Sequence, residues 1–520
     1  MDRSKSNSTK NFIKGAASLS LAALVVKILG VAYKIPLSHI LGDDGMGYFN
    51  TAYTVYTFFF LICTAGVPKA ITLLVTERTK EKNKSTGSLL KTAKFTFIII
   101  SIAIAVLFAS LSFLIAGFIG NRRAAFAMLA IAPAIPFIAV VSIYRGYLDG
   151  YMRFGTVALS QFVEAALKLA LGLAISAIGT HLNLSSEYIA AGAIFGITLG
   201  SIVTYIHLLI ASKRLNVIEN AGQNCEFNKA LLKEIFKISL PITLSSGVMS
   251  LVNIIDLSVI IKGLERSGYT ENLSTTLYGN YTTLAVPMFN FVLSVVSSIC
   301  MSALPLLSEL SISKKGNEFK NSIIYAAKIV SFFALPATII FAFFSHEVLI
   351  ILFDRGSVAL GSALLAILSP SVALIALLMI LNTALEAKGN YIIPLFSMSI
   401  GGIAKIIAST ILLTNTNLAI WGAPIGTFIS YVTSVSFSLV IYQRRIGRVY
   451  LLAKGFIKSA ICGAIAVVPT IALRNYIGRG DISVFSAFLL LGLYGTIYLL
   501  LSLLIDNFPI KVRKTCQNRQ

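Results

Sequence analysis

The chain has 520 residues, 56% of them hydrophobic and only 12% charged, yet 43 Lys and Arg against 21 Asp and Glu leave a net charge of +22. A water-soluble fold carries about a quarter of its residues as charged groups, so a soluble enzyme is excluded. Whether the basic excess points to nucleic acid or to a membrane depends on where the cations sit.

In chain order, the apolar runs match the length of about 20 residues that a helix needs to cross the hydrocarbon layer. They fall at 13–40, 51–75, 95–118, 124–143, 157–178, 188–210, 238–261, 279–304, 329–352, 359–385, 392–413, 418–442, 455–473 and 484–505. The fold class expected is therefore an all-α polytopic membrane protein with 14 transmembrane helices. The first run is too long for a signal-peptide core and reads as a retained span. The stretch 406–443 has no charge, and it divides at Thr414-Asn415-Thr416-Asn417, where four polar turn formers interrupt the apolar run.

With the N-terminus inside, 31 Lys and Arg fall in segments assigned to the cytoplasm, 7 in outer segments and 5 within spans. Such a bias follows the positive-inside rule and places both termini in the cytoplasm. It accounts for most of the basicity as topology, so nucleic acid drops out as a partner and membrane lipids take its place. The cysteines Cys63, Cys225, Cys300, Cys462 and Cys516 are scattered without a C-x-x-C pair, and read as apolar fillers or reduced thiols with no metal site. No Walker A loop or hydrolase motif appears, so neither a cofactor nor catalysis is expected.

An offset of 237 residues lays Leu148-Asp149-Gly150 on Leu385-Glu386-Ala387, Ser160 on Ser397, Lys168 on Lys405 and Pro68 on Pro305. Duplicated halves are common in transporters. The expected organisation is a six-helix bundle over 1–212, a parallel repeat of it over 229–442, and two additional helices over 455–506.

The intramembrane cations are Lys27, Lys34, Lys69, Lys168 and Lys405, accompanied by the acids Glu164 and Asp256. A charge at the centre of a span costs about 2.5 to 3.5 kcal/mol on the insertion scale, so unpaired ones point to a hydrated cavity. Lys27 and Lys34 are two turns apart, about 10 Å, on one side of a helix, with Gly30 between them. Lys34 and Lys69 could equally snorkel to the interface. Glu164 and Lys168, spaced i, i+4 in the favourable order, are expected to pair. Asp256 either pairs with one of the lysines or binds a coupling cation. A cavity of net positive charge suits an anion, and phosphate or pyrophosphate fits lysine as a point-charge partner.

Several stretches carry a family resemblance: Lys27-Ile-Leu-Gly30, Leu41-Gly42-Asp-Asp-Gly45-Met-Gly-Tyr48, Thr64-Ala-Gly-Val-Pro68, and Tyr144-Arg-Gly-Tyr-Leu-Asp-Gly150 followed by Ser160-Gln-Phe-Val-Glu164-Ala-Ala-Leu-Lys168. The chain resembles the stage V sporulation protein B-like and lipid II flippase family of the multidrug/oligosaccharidyl-lipid/polysaccharide (MOP) exporter superfamily. The resemblance implies a pair of helix bundles in a bacterial plasma membrane that alternate access and turn an undecaprenyl-pyrophosphate-linked sugar from the inner to the outer leaflet. It implies an anionic lipid-linked sugar as substrate, cell-wall synthesis machinery as partners, and coupling to sodium, protons or membrane potential. Lys27 falls on a cavity-lining position of helix 1, and Lys34 lies one residue off the second. Where lipid II flippases carry arginines on helix 2, this chain has Phe58 and Phe59. An acid on helix 7 contributes to a sodium site in some relatives, which marks Asp256. Two other classes stand beside this one: a cation-coupled multidrug antiporter of the same superfamily, whose cavities rest on acids, and a membrane glycan polymerase or ligase, which the short outer loops disfavour.

Overall fold

A computed structural model describes residues 2–80, 86–214, 227–313, 316–353, 358–390, 392–416, 418–447, 450–477 and 483–505; the side chains of 2–24, 27, 28, 31, 80, 214, 245, 248, 249, 305 and 450–452 lie outside the described set. Among the described residues every regular element is helical, and the protein is an all-α, multi-pass membrane protein.

The first compact unit comprises Met1–Glu265 and Tyr269–Gly279. It opens with α1 (Asp2–Thr64), which is broken at Gly42, where φ is 67° and ψ is −174°. A left-handed φ costs glycine little and other residues much, so this position separates the two expected spans that α1 joins. A second break at Ala65 and Gly66 leads to α2 (Val67–Lys80), followed by α3 (Thr86–Ile119). Next come α4 (Ala124–Ile131) and α5 (Ala134–Gly150), bent by 41° relative to each other. Pro133 sits at that bend and has no N–H to continue the ladder. The unit continues through α6 (Phe154–His181), α7 (Ser186–Arg214), α8 (Lys229–Arg266) and most of α9 (Glu271–Asn280). Its core gathers Ile71 and Leu74 of α2, Leu89 and Phe97 of α3, Tyr144 and Tyr147 of α5, and Ile235 of α8. The unit thus takes in α8, which the 237-residue repeat would put at the head of the second bundle.

The second compact unit comprises Arg266–Gly268 and Asn280–Gln520, within the described limits. A π-helical turn (Tyr281–Ala285) leads into α10 (Val286–Ile312), then α11 (Gly316–Phe343), α12 (Ser345–Phe353), α13 (Val358–Ala387) and α14 (Ile392–Leu413). The helix stops at the polar tetrad expected to stop it, of which Asn417 lies outside the described residues, and α15 (Gly422–Arg445) resumes after a short 3₁₀ turn. The last helices, α16 (Tyr450–Ile477) and α17 (Val484–Leu504), pack on α11 through Phe332, Cys462, Ala466, Tyr494 and Tyr498. The hydroxyl of Tyr498 donates to the carbonyl of Phe332 at 2.9 Å. Glu347 of α12 is wholly buried with its Oε1 2.7 Å from Nε of Arg474, whose Nη1 donates to the carbonyl of Phe343.

Large apolar side chains fill the core of both units, and on α14 small residues take the inner face while the outer face is apolar as well. On α14, Ser397, Gly401 and Ser409 are buried while Ile403, Ile407 and Ile411 are exposed. In water this would be inverted; in lipid, exposed isoleucine is solvated by hydrocarbon and small residues let helices approach closely. On length and apolarity, 11 helical stretches among the described residues suffice to cross a membrane, or 12 with the bent α4–α5 pair. Of the fourteen expected spans, 13–40 lies largely and 238–261 partly outside the described side chains, so this count among the described residues does not decide the total. Cys63, Cys300 and Cys462 are buried free thiols, whereas Cys225 and Cys516 lie outside the described residues.

Candidate functional site

A cavity of about 580 Å³ opens within the first unit, walled by α1, α5, α6 and α7. Its polar side is assembled from two helices. Arg145, in the last turns of α5, donates from Nε to Oγ of Ser160 at 2.9 Å and from Nη2 to Oε2 of Glu164 at 2.7 Å. One turn along α6, Nζ of Lys168 donates to the other oxygen, Oε1 of Glu164. Glu164 is only 9% exposed, and each of its two oxygens is met by a cation. Across the Gly42 bend, Nζ of Lys34 donates to Oδ1 of Asn50 at 3.3 Å. Lys34, Arg145 and Lys168 therefore face one cavity against a single lining acid, Glu164.

The i, i+4 pair of Glu164 with Lys168 forms as its spacing predicts. Arg145, however, is missing from the expected site. The expected fourth span ends at Ile143 and leaves Arg145 beyond it, whereas α5 continues helical to Gly150 and carries the guanidinium into the cavity. A signal was available: Arg145 sits inside the Tyr144 to Gly150 stretch that carries the family resemblance.

Of the other expected site residues, the side chain of Lys27 lies outside the described residues, as does that of Pro305 in the repeat. Lys69 is exposed on α2, and Asp256 is partly buried on α8; neither is among the residues lining the cavity. Lys405 is partly buried on α14 and belongs to the second unit. Phe59 packs on Phe108 of α3 with ring centroids 4.7 Å apart. Among the described residues no cluster of three His, Cys, Asp or Glu could hold a metal ion.

Residues 12–311, more than half of the chain, match the family described as polysaccharide biosynthesis protein. The chain belongs to that family. It is 22% identical over 483 residues to stage V sporulation protein B of Bacillus subtilis (strain 168), covering 91% of each chain. It is likewise 22% identical over 480 residues to lipid II flippase MurJ of the same organism, covering 88% of this chain and 87% of that one. A solved structure of lipid II flippase MurJ in an inward closed conformation superposes with a TM-score of 0.71 at 17% identity, over 94% of this chain and 98% of that one. Fold and family together make this protein a member of the MOP exporter superfamily, a flippase or transporter of the stage V sporulation protein B and MurJ type rather than an enzyme.

Proposed function

We propose that this polysaccharide biosynthesis family member moves an undecaprenyl-pyrophosphate-linked oligosaccharide, of the lipid II type, across a bacterial plasma membrane by alternating access. The observation that carries the reading is the cavity where Lys34, Arg145 and Lys168 face one acid. A pyrophosphate brings the negative charge that balances this surplus, and cations beside low-dielectric protein walls bind it more strongly than they would in bulk water. The same surplus disfavours the cation-coupled antiporter, whose substrates would be repelled. Lys27, Lys69 and Lys405 are proposed as further contacts for the head group, and Asp256 as a coupling residue for sodium or protons. The lipid-linked sugar and membrane lipids are its partners in this reading, with cell-wall synthesis enzymes handing substrate on, and both termini lie in the cytoplasm.

Purified protein in liposomes should carry a fluorescent undecaprenyl-pyrophosphate disaccharide between leaflets without altering its glycan. Lys34→Ala and Lys27→Ala should each lower that rate about tenfold or more, the equivalent of at least ~1.4 kcal/mol, while the proteins still insert. Wild-type rates in both variants would sink the head-group assignment, and altered glycan would point to a polymerase or ligase instead.

A further inference from the structure

The wall of this cavity contributed by α1 is aromatic. Phe49, Tyr53, Tyr56 and Phe60 recur at helical spacing and all line the cavity. Consecutive rings adjoin: Phe49 and Tyr53 are stacked at 6.1 Å between centroids and 6° between planes, Tyr53 and Tyr56 are 6.1 Å apart, and Tyr56 and Phe60 are 5.8 Å apart. An aromatic stripe on a helix is ordinarily packing, and two details depart from that. Tyr53 is 46% exposed, leaving a ring face open where a core residue would be covered. Tyr56 is only 4% exposed, lines the cavity, and its hydroxyl has no hydrogen-bond partner among the described residues. A buried hydroxyl left unmatched costs about 1 to 3 kcal/mol, which phenylalanine would avoid at the same volume. The hydroxyl is therefore suited to a partner that arrives with a ligand.

A sugar ring meets both features. Its axial C–H groups form an apolar face that lies against an aromatic ring, whose π-surface is electron-rich, and its rim presents hydroxyl and amide groups to polar side chains. Gln161 of α6 lines the same cavity and offers a second such partner. An apolar pocket with a few placed polar groups is the usual form of a small-molecule site. We infer that the α1 wall, centred on Tyr53 and Tyr56, is a platform for a sugar ring of the cargo, opposite the Arg145, Glu164 and Lys168 side that receives its phosphates. The inference rests on the flippase reading of the same cavity and assigns the glycan, rather than the lipid or the charge, to named residues.

The test compares transport of two probes in proteoliposomes: undecaprenyl pyrophosphate alone, and the same lipid carrying an N-acetylated disaccharide. Tyr53→Leu should lower the ratio of sugar-bearing to bare lipid transport about tenfold, and Tyr56→Phe, which keeps the ring, about threefold; each tenfold corresponds to ~1.4 kcal/mol. An unchanged ratio in both variants overturns the platform. Saturation transfer from protein to the free disaccharide, measured by NMR on detergent-purified protein, decides the matter independently of transport. Signal on the sugar ring protons in wild type that is lost in Tyr53→Leu supports the platform even if neither lipid moves, a result that would overturn only the flippase reading. Absence of that signal in wild type overturns the platform itself.

Discussion

On the proposed 237-residue repeat, the α5–α6 pair of the first unit and the α13–α14 pair of the second carry opposite chemistry at corresponding positions. With the 237-residue offset, Ser160 corresponds to Ser397, and both are fully buried. Arg145 corresponds to Asn382, and Glu164 to Gly401. In the first unit Ser160 accepts from a guanidinium that also clasps a carboxylate. In the second, Ser438 of α15 donates to Ser397 Oγ at 2.8 Å and lies 3.1 Å from Asn382 Oδ1, while Ser397 and Ser434 exchange hydroxyl-to-carbonyl bonds at 2.9 and 3.0 Å. One copy thus spends the site on charge and keeps a cavity beside it; the other spends it on neutral hydroxyls and closes the helices together. On the proposed repeat, one half carries the charged cluster of the proposed site while the corresponding positions of the other are tied by short polar bonds.

The largest break in this comparison should come from Arg145→Met. Removing one partner of a buried charge pair costs about 3 to 5 kcal/mol, so thermal unfolding in detergent should shift sharply downward and lipid transport should fall at least tenfold. Adding Glu164→Gln and Lys168→Met removes every remaining charge of the cluster; the triple variant should regain much of the melting temperature but not the transport. Recovery of both would mean that the clasp is structural and lies outside the binding site.

A smaller effect is expected from Gly401→Ala. A Cβ there would lie 1.9 Å from Oγ of Ser434 and 2.7 Å from the carbonyl oxygen of Ser430, so α14 and α15 would have to separate. Overpacking of this kind costs about 1 to 3 kcal/mol, visible as a lowered melting temperature. The smallest should be Ser438→Ala, which leaves Ser397 Oγ without that donor and Asn382 Oδ1 without its hydroxyl neighbour. About 1 kcal/mol is expected, measured by unfolding, with transport by the first-unit cavity little altered. A tenfold transport loss in Ser438→Ala would erase the division of labour between the two copies.

The helices were legible in the sequence because apolar length measures the bilayer directly, and the polar tetrad after Leu413 stops α14 where turn chemistry says it should. The pairing of Glu164 with Lys168 was legible because both lie on one helix one turn apart. Arg145 was not, because its role depends on how far α5 continues beyond Ile143 and on which face α6 turns toward it. Nor was the grouping of α8 with the first unit, since a hydropathy run carries no record of the neighbour on which a helix packs.

Composition and periodicity by themselves determined a basic, all-helical, multi-pass membrane protein with a few cations inside its spans. They did so because the hydrocarbon layer sets one length and one polarity for every span, conditions that each residue meets locally. Only the tertiary structure decided which cations share a cavity, that one acid bridges two of them, and that an aromatic wall with an unmatched hydroxyl stands with them. Those relations join residues more than a hundred positions apart, such as Lys34 and Lys168, and arise from helix contacts that no local pattern encodes.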